Sequence, residues 1–273
     1  MLQELKSREF HRIRPLLTGE QVNLEIRAIA ATSSPGWIFV DDRVNPQTAL
    51  VFSHGQSGFY FTGRENNPRF EAALVQTIEN LRPRLAEMGI HDFEFSGTSE
   101  EWELALERIF VGKDLEKFTQ HVYLFPDLRQ VQLAETRPAE NFQVTAISRE
   151  LLASPEIDTS YIEKNLLDWW ESLDNFLDQG YGYCVICEGK TVALCFASFV
   201  EDSNWALGVY TQAEYRKRGF AWAAGLKMIK YCQKHNIAPY WDCMGDNIPS
   251  RRLAKSLGFS LAFKYQVYGF RFI

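Results

Sequence analysis

Apolar and polar positions along the chain follow two rhythms. Apolar residues recurring every three or four positions predict helices, while short alternating or continuous β-branched and aromatic runs predict strands. The first half opens with helical spacing over 2–17, ended by Pro15 or by Thr18 and Gly19, and a second helical run over about 20–32. Strands are predicted at 36–40, 49–53 and 59–62, the last two joined as a hairpin through 54–58. A helix from 68 to about 87 has Asn67 placed as its N-cap, Pro68 at its first position and Gly89 past its end. A strand over 91–95, a helix over 100–110 opened by the capping box Thr98 to Glu101, and a strand over 121–125 complete this half.

The stretch 134–141 is polar, contains Pro138 and has no periodicity, which marks a boundary between a domain over 1–133 and a second over 134–273. The second half begins with a strand over 142–147 and a short helix capped by Ser148. A longer amphipathic helix is predicted over about 160–177. Three consecutive strands (181–187, 191–200 and 205–211) then lead into a second long helix ending near 235. Strand 239–243, a short helix from 247 to 257 and strand-like runs over 259–263 and 265–272 close the chain. The fold class is therefore α/β with a mixed sheet. The first half, with its own strand-to-helix step at 68, reads as a smaller α/β domain and a degenerate counterpart of the second, or as an unrelated domain shaping a cleft.

Between the strand 205–211 and the helix after it lies a basic turn: Arg216, Lys217, Arg218, Gly219, Phe220 and Ala221. The first amides of a helix lack intrahelical partners and carry partial positive charge, so a glycine-bearing basic turn there is suited to an anion. A solvated basic helix start is the alternative. At 68 the arrangement differs, because Asn67 occupies the helix start with its own side chain.

Composition narrows the classes of function. The chain has 273 residues, 46 % hydrophobic and 14 % aromatic, enough for a sizeable core. Its formal net charge of −6 argues against a general nucleic-acid binder, since neutralising phosphates requires clustered Lys and Arg. The charged N-terminus and the lack of a long apolar run predict a cytoplasmic protein without a membrane span. The five cysteines are Cys184, Cys187, Cys195, Cys232 and Cys243. Cys184 and Cys187 spell CxxC within a strand, where residues three apart face opposite sides, so buried reduced thiols are expected and no metal site.

The motif Arg216-x-x-Gly219-x-Ala221 resembles the acyl-CoA-binding signature of the GNAT acetyltransferase superfamily. A second segment, Asn247-x-x-Ser250-x-x-Leu253-Ala254, followed by Gly258 and Phe259, looks like the motif that follows the fifth strand in that family. Tyr161, Gly180 to Cys184, Thr211, Tyr215 and the run Pro239, Trp241, Asp242, Cys243 are similar to the zwittermicin A resistance-type branch. The resemblance is specific over about 155–268 and looser before it. It implies acetyl transfer from acetyl-CoA to a primary amine of a small molecule by direct attack, with no metal and no covalent enzyme intermediate. It implies pairing of Val209 and Thr211 with pantetheine, a pyrophosphate cradle at Arg216, Lys217, Arg218, Gly219, Phe220 and Ala221, and contacts from Asn247 and Ser250.

Two positions depart from the family. The tyrosine that often protonates the leaving thiolate is Ala254, and a carboxylate common on the fourth strand is Ala206. Asp242 is then the leading base candidate, Glu201 a reserve, and Tyr265 or Tyr268 candidate acids. The missing groups leave open a second reading, a CoA-binding sensor or scaffold with weakened catalysis. A third, an aminoacyl transferase using charged tRNA, is disfavoured by the acidic balance.

Overall fold

The computed structural model describes residues 1–19, 22–126 and 142–272. The chain divides into two compact units, Met1–Gln120 with Lys264–Ile273, and His121–Phe263. The stretch 134–141, read from the sequence as a boundary, lies outside the described residues.

The first unit contains strands β1 (Gln3–Glu4), β2 (Gly36–Val40), β3 (Thr48–Ser53), β4 (Gly58–Gly63), β5 (Asp92–Gly97) and β6 (Glu116–Leu124), the last crossing the unit boundary. Its helices are α1 (Leu24–Ala30), α2 (Pro68–Glu87) and α3 (Glu100–Ile109). The predicted first helix is a two-residue strand followed by a 3-10 helix, Ser7–Leu16, which carries Pro15 inside it. Strands β1 to β4 pair antiparallel in chain order, and β5 returns parallel to β4. One sheet face packs on the 3-10 helix and α1 through Ile13, Ile26, Ile29 and Val51. The other packs on α2 and α3 through a phenylalanine-rich core including Phe61, Phe70, Phe93, Phe95 and Trp102.

The second unit contains β7 (Gln143–Ala146), β8 (Gly182–Cys187), β9 (Lys190–Glu201), β10 (Asn204–Thr211), β11 (Ala238–Met244) and β12 (Ser260–Arg271), the last running back into the first unit. Its helices are α4 (Arg149–Leu152), α5 (Ser160–Leu167), α6 (Leu173–Gln179), α7 (Phe220–His235) and α8 (Ile248–Ser256). Strands β7 to β10 are antiparallel neighbours and β11 is parallel to β10. Helices α7 and α8 cover one face, and α5 and α6 the other. Each half therefore contains the succession β-β-β-α-β-α-β, from β2 to β6 and from β8 to β12, with the strand before its long helix pairing parallel with the strand after it. The last ten residues return to the first unit, where β12 pairs antiparallel with β5 from Val267 opposite Ser96 to Arg271 opposite Asp92.

Two further departures from the sequence pattern have local causes. The predicted helix over 160–177 is two helices, because Ser172 accepts the Asn175 amide at 3.1 Å and caps a new one. The tryptophans in the break keep the apolar spacing going, since the indole of Trp170 donates to the Ala197 carbonyl at 2.9 Å. The two runs at the C-terminus form the single strand β12.

Polar groups inside the first unit are mostly answered. Asn67 accepts from the Phe70 amide at 3.2 Å and donates to Asp41 at 2.8 Å and Thr48 at 3.0 Å. Glu25 is an exception. It is 1 % exposed, and one carboxyl oxygen accepts from Gln56 at 3.2 Å while the other has no hydrogen-bond partner among the described residues. Burial pushes its carboxyl up from the ordinary 4.5 to about 7. The folded value lies above the unfolded one, so the native state holds the proton more tightly, and stability falls as pH rises from 4.5 to 7 and levels off above. That penalty is about 3 kcal/mol above pH 7. Glu25→Gln should raise the urea midpoint clearly at pH 8 and little at pH 4.5, measured by denaturation at both values. An equal gain at the two pH values would contradict a buried, proton-holding Glu25.

Candidate active site

Strands β10 and β11 pair at only three positions: Asn204 with Ala238, Trp205 with Pro239, and Ala206 with Tyr240. Beyond Ala206 the register ends, although β10 stays paired with β9 as far as Thr211 opposite Ala193. The cause is a bulge. The β9 register jumps from Phe199 opposite Ala206 to Ala197 opposite Leu207, leaving Ser198 as the extra residue. Its hydroxyl donates to the Ala206 carbonyl at 3.3 Å. An extra residue bends its strand and re-aims the side chains beyond it. Before the bulge, Ala193, Cys195 and Ala197 face α7 and α8. After it, Phe199 meets Trp169 on the α5 and α6 side, with ring centroids 5.2 Å apart. Gly208 sits just past the bulge, where a Cβ would lie 3.2 Å from the Phe196 ring and 3.4 Å from Ser198. The parted stretch, which contains Val209 and Thr211, directs alternate backbone groups away from β9.

The basic turn continues from this edge. Lys217 and Gly219 have φ of 64° and 84°, so the backbone turns twice through the left-handed region within three residues. Gly219 is the N-cap of α7 and offers no side chain, and the first turn contains no acid. The Gly219 carbonyl accepts the first helical bond, from Ala223 at 3.0 Å, so the amides of Phe220, Ala221 and Trp222 precede the intrahelical ladder. Arg216, Lys217, Arg218 and Gly219 are exposed, and Arg216 donates to the Thr211 carbonyl at 3.3 Å. The Phe220 side chain is 1 % exposed and belongs to the core, so only its backbone faces the turn. Ala221 is half-buried.

The Asn247 and Ser250 side chains hold the structure of their own helix. Asn247 accepts the Ser250 amide at 3.1 Å and caps α8, and the Ser250 hydroxyl accepts from the Trp241 indole at 3.0 Å. The amide hydrogens of exposed Asn247 are not used by that cap. Helix α8 is held close to α7 because Gly225 leaves room for Leu257, where a Cβ would meet it at 2.6 Å. Ala254 is fully buried, so the position where the family often has a tyrosine is a packing position here.

Trp241 and Cys243 pack into the α7 and α8 core, so strand alternation places half-buried Asp242 on the opposite face with Tyr240 and its register partner Ala206. Burial raises the Cys243 thiol, which keeps it neutral and poorly nucleophilic. Glu201 ends β9, accepting from its register partner Asn204 at 3.4 Å, and Asn204 is seven residues, about 23 Å, along β10 from Thr211. Tyr265 and Tyr268 both belong to the first unit. Tyr268 stacks on Phe95 in the phenylalanine core and donates to Glu107 at 3.4 Å. Cys184 packs toward α5 and Cys187 toward α7, so the CxxC spacing divides across the sheet.

One polar pair has no signature in the sequence. Trp169, in the break between α5 and α6, donates its indole N–H to the Tyr210 hydroxyl at 2.7 Å. Tyr210 lies in the parted stretch, and Phe196 stacks on it at 5.9 Å. The partners are 41 residues apart and carry no motif, so no local signal could have joined them.

The first unit has the same elements in a closed form. There β4 pairs with β5 from Phe59 to Phe61, and the Thr98 amide continues the ladder to the Phe61 carbonyl at 3.1 Å. The indole of Trp102 donates to the Gly63 carbonyl at 2.9 Å, and Asn67 occupies the start of α2.

Comparison with known proteins agrees with this architecture. A family model described as GNAT acetyltransferase matches residues 14–268. The chain is 24 % identical over 272 residues to an uncharacterized N-acetyltransferase, YdfB, of Bacillus subtilis (strain 168), covering 98 % of each chain. Its fold is similar to that of a GCN5-related N-acetyltransferase-like protein from Streptococcus suis 89/1591, with a TM-score of 0.64 at 21 % identity over 97 % of this chain and all of that one. It is also similar to a tandem GNAT protein from the clavulanic acid biosynthesis pathway, with a TM-score of 0.60 at 9 % identity over 99 % and 98 % of the two chains. With the parted strands, the uncapped basic helix start and a family match across nearly its whole length, the chain belongs to the GNAT acetyltransferase family.

Proposed function

We propose that the second unit transfers an acetyl group from acetyl-CoA to a primary amine of a small molecule. The observation that carries this reading is the conjunction of a strand edge released from its neighbour and, directly after it in the chain, a basic helix start with no side-chain cap. An extended amide-bearing chain suits the first, and a pyrophosphate suits the second. Val209 and Thr211 would pair with pantetheine through their backbone. Arg216, Lys217 and Arg218 would neutralise the phosphates while the Gly219, Phe220 and Ala221 amides bind their oxygens. Asn247 would donate through its remaining amide hydrogens, and Ser250 would hold the start of α8 in place beside it.

Acetyl-CoA supplies a thioester open to direct attack by an amine. Asp242 would take the proton of the attacking amine, and β10 amides would stabilise the developing oxyanion. The resemblance to the zwittermicin A resistance-type branch supports an aminated antibiotic or metabolite as acceptor, and a cytoplasmic setting fits such a role. Among the described residues no helix is long and apolar enough to cross a membrane. One observation favours a CoA-binding sensor as the second reading: Ala206 and Ala254 are buried apolar positions where the family often has reactive groups.

Gly219→Glu places a carboxylate at the helix start, and acetyl-CoA affinity measured by calorimetry should fall at least about a hundredfold. Gly219→Ala, which meets the same positive φ without the charge, should lose much less, and its folding should resemble that of the Glu variant by circular dichroism. Wild-type affinity in Gly219→Glu would remove the cradle. Asp242→Asn should lower kcat about a hundredfold in a thiol-release assay while acetyl-CoA affinity stays within twofold. Unchanged turnover would remove Asp242 as the base, and acetyl-CoA binding with no turnover on any amine would favour the sensor.

A further inference from the structure

The face of the second unit that carries Asp242 is built differently from the face that carries α7. Past the bulge, strand alternation directs Tyr210 to the α5 and α6 side, where it packs with Phe196. Phe199 is turned to the same side by the bulge and holds the Trp169 ring edge-on at an interplanar angle of 90°. On this face β10 carries only Ala206 and Gly208 before Tyr210, and β11 carries Tyr240, in register with Ala206, before Asp242, so small residues of β10 lie beside an aromatic wall. Trp169 and Tyr210 are neither buried nor fully exposed, which leaves ring surface accessible. Tyr161, also half-buried, packs against the same core as Tyr210 and Trp169.

The hydrogen bond within the wall has a fixed direction. An indole N–H only donates, so the Tyr210 oxygen must accept from Trp169, and its own proton is left to be given elsewhere. Among the described residues no acceptor takes that proton. Burial also raises the Tyr210 phenol, so the proton stays in place at neutral pH. The wall therefore combines a rigid aromatic surface with one oriented donor. Flat aromatic groups fit such a surface by offset stacking, and an ammonium beside it is matched by the carboxylate of Asp242 on the same face.

We propose that Trp169 and Tyr210 form the acceptor subsite of the second unit and select an amine carried on an aromatic body, in preference to an aliphatic polyamine. This inference rests on the acetyl-transfer reading of the same unit.

The test uses the full chain, with acetyl-CoA binding measured by calorimetry and turnover by thiol release on tryptamine, 2-phenylethylamine, putrescine and spermidine. The two aryl amines should give the higher kcat/KM. Trp169→Ala should raise their KM about tenfold, with acetyl-CoA affinity within twofold of wild type. Trp169→Phe keeps a ring but cannot donate to Tyr210, so it should raise KM by less than the alanine variant. It also serves as the folded comparison should the alanine variant be unstable. Higher kcat/KM on putrescine or spermidine, no turnover of either aryl amine, or an unchanged aryl-amine KM in both variants would overturn the subsite while leaving acetyl-CoA binding intact. Failure of the wild-type chain to bind acetyl-CoA would instead overturn the underlying reading, and the subsite with it.

Discussion

The separation of β10 from β11 after Ala206 is the constraint on which the second unit depends. Parallel neighbours in a buried sheet normally satisfy each other's backbone groups along their full length, because unpaired buried amides are costly. Here one inserted residue, Ser198, turns β9 and β10 away from β11 after three pairs. The hydroxyl of Ser198 on the Ala206 carbonyl holds that turn, and Gly208 avoids a clash with Phe196 on its far side. A released edge of this kind is stable only where water or a ligand completes it. The position of the basic turn then follows from the chain, since β10 ends at Thr211 and α7 begins at Phe220.

The first unit runs through the same succession of elements, and its β4–β5 ladder, also of three pairs, is covered where the strands end. Its β4–β5 ladder is continued by Thr98, Trp102 covers the end of β4, and Asn67 supplies both a cap for α2 and a bridge to Asp41 and Thr48. Two of these closures have open counterparts in the second unit. A carbonyl taken by an indole corresponds to a free strand edge, and a helix start filled by an asparagine corresponds to one left to glycine. The two β-β-β-α-β-α-β successions of this chain thus differ, one with its strand and helix ends covered and one with a released strand edge and an uncapped helix start.

Much of this was legible in the sequence, for reasons that are local. Strand and helix positions follow apolar spacing, the Asn67 cap follows from its place before Pro68, and the basic turn follows from six consecutive residues. The β9 bulge was not legible, because nothing in the run around Ser198 separates an extra residue from regular alternation. The break between α5 and α6 was hidden by Trp169 and Trp170, which preserve helical spacing while serving two different contacts with the sheet. The return of the last ten residues to the first unit depends on pairing between β12 and β5, with partners such as Gly269 and Glu94 far apart in the chain. Motifs were read where chemistry is contiguous and missed where it is assembled by folding.

The most direct test of a single ligand site in the second unit is amide hydrogen exchange of the full chain with and without saturating acetyl-CoA, together with the binding stoichiometry. One acetyl-CoA should bind per chain, with slowed exchange over 207–211 and 217–222 and no change over 58–70. Two bound per chain, or protection over 58–70 in place of the second-unit segments, would contradict it.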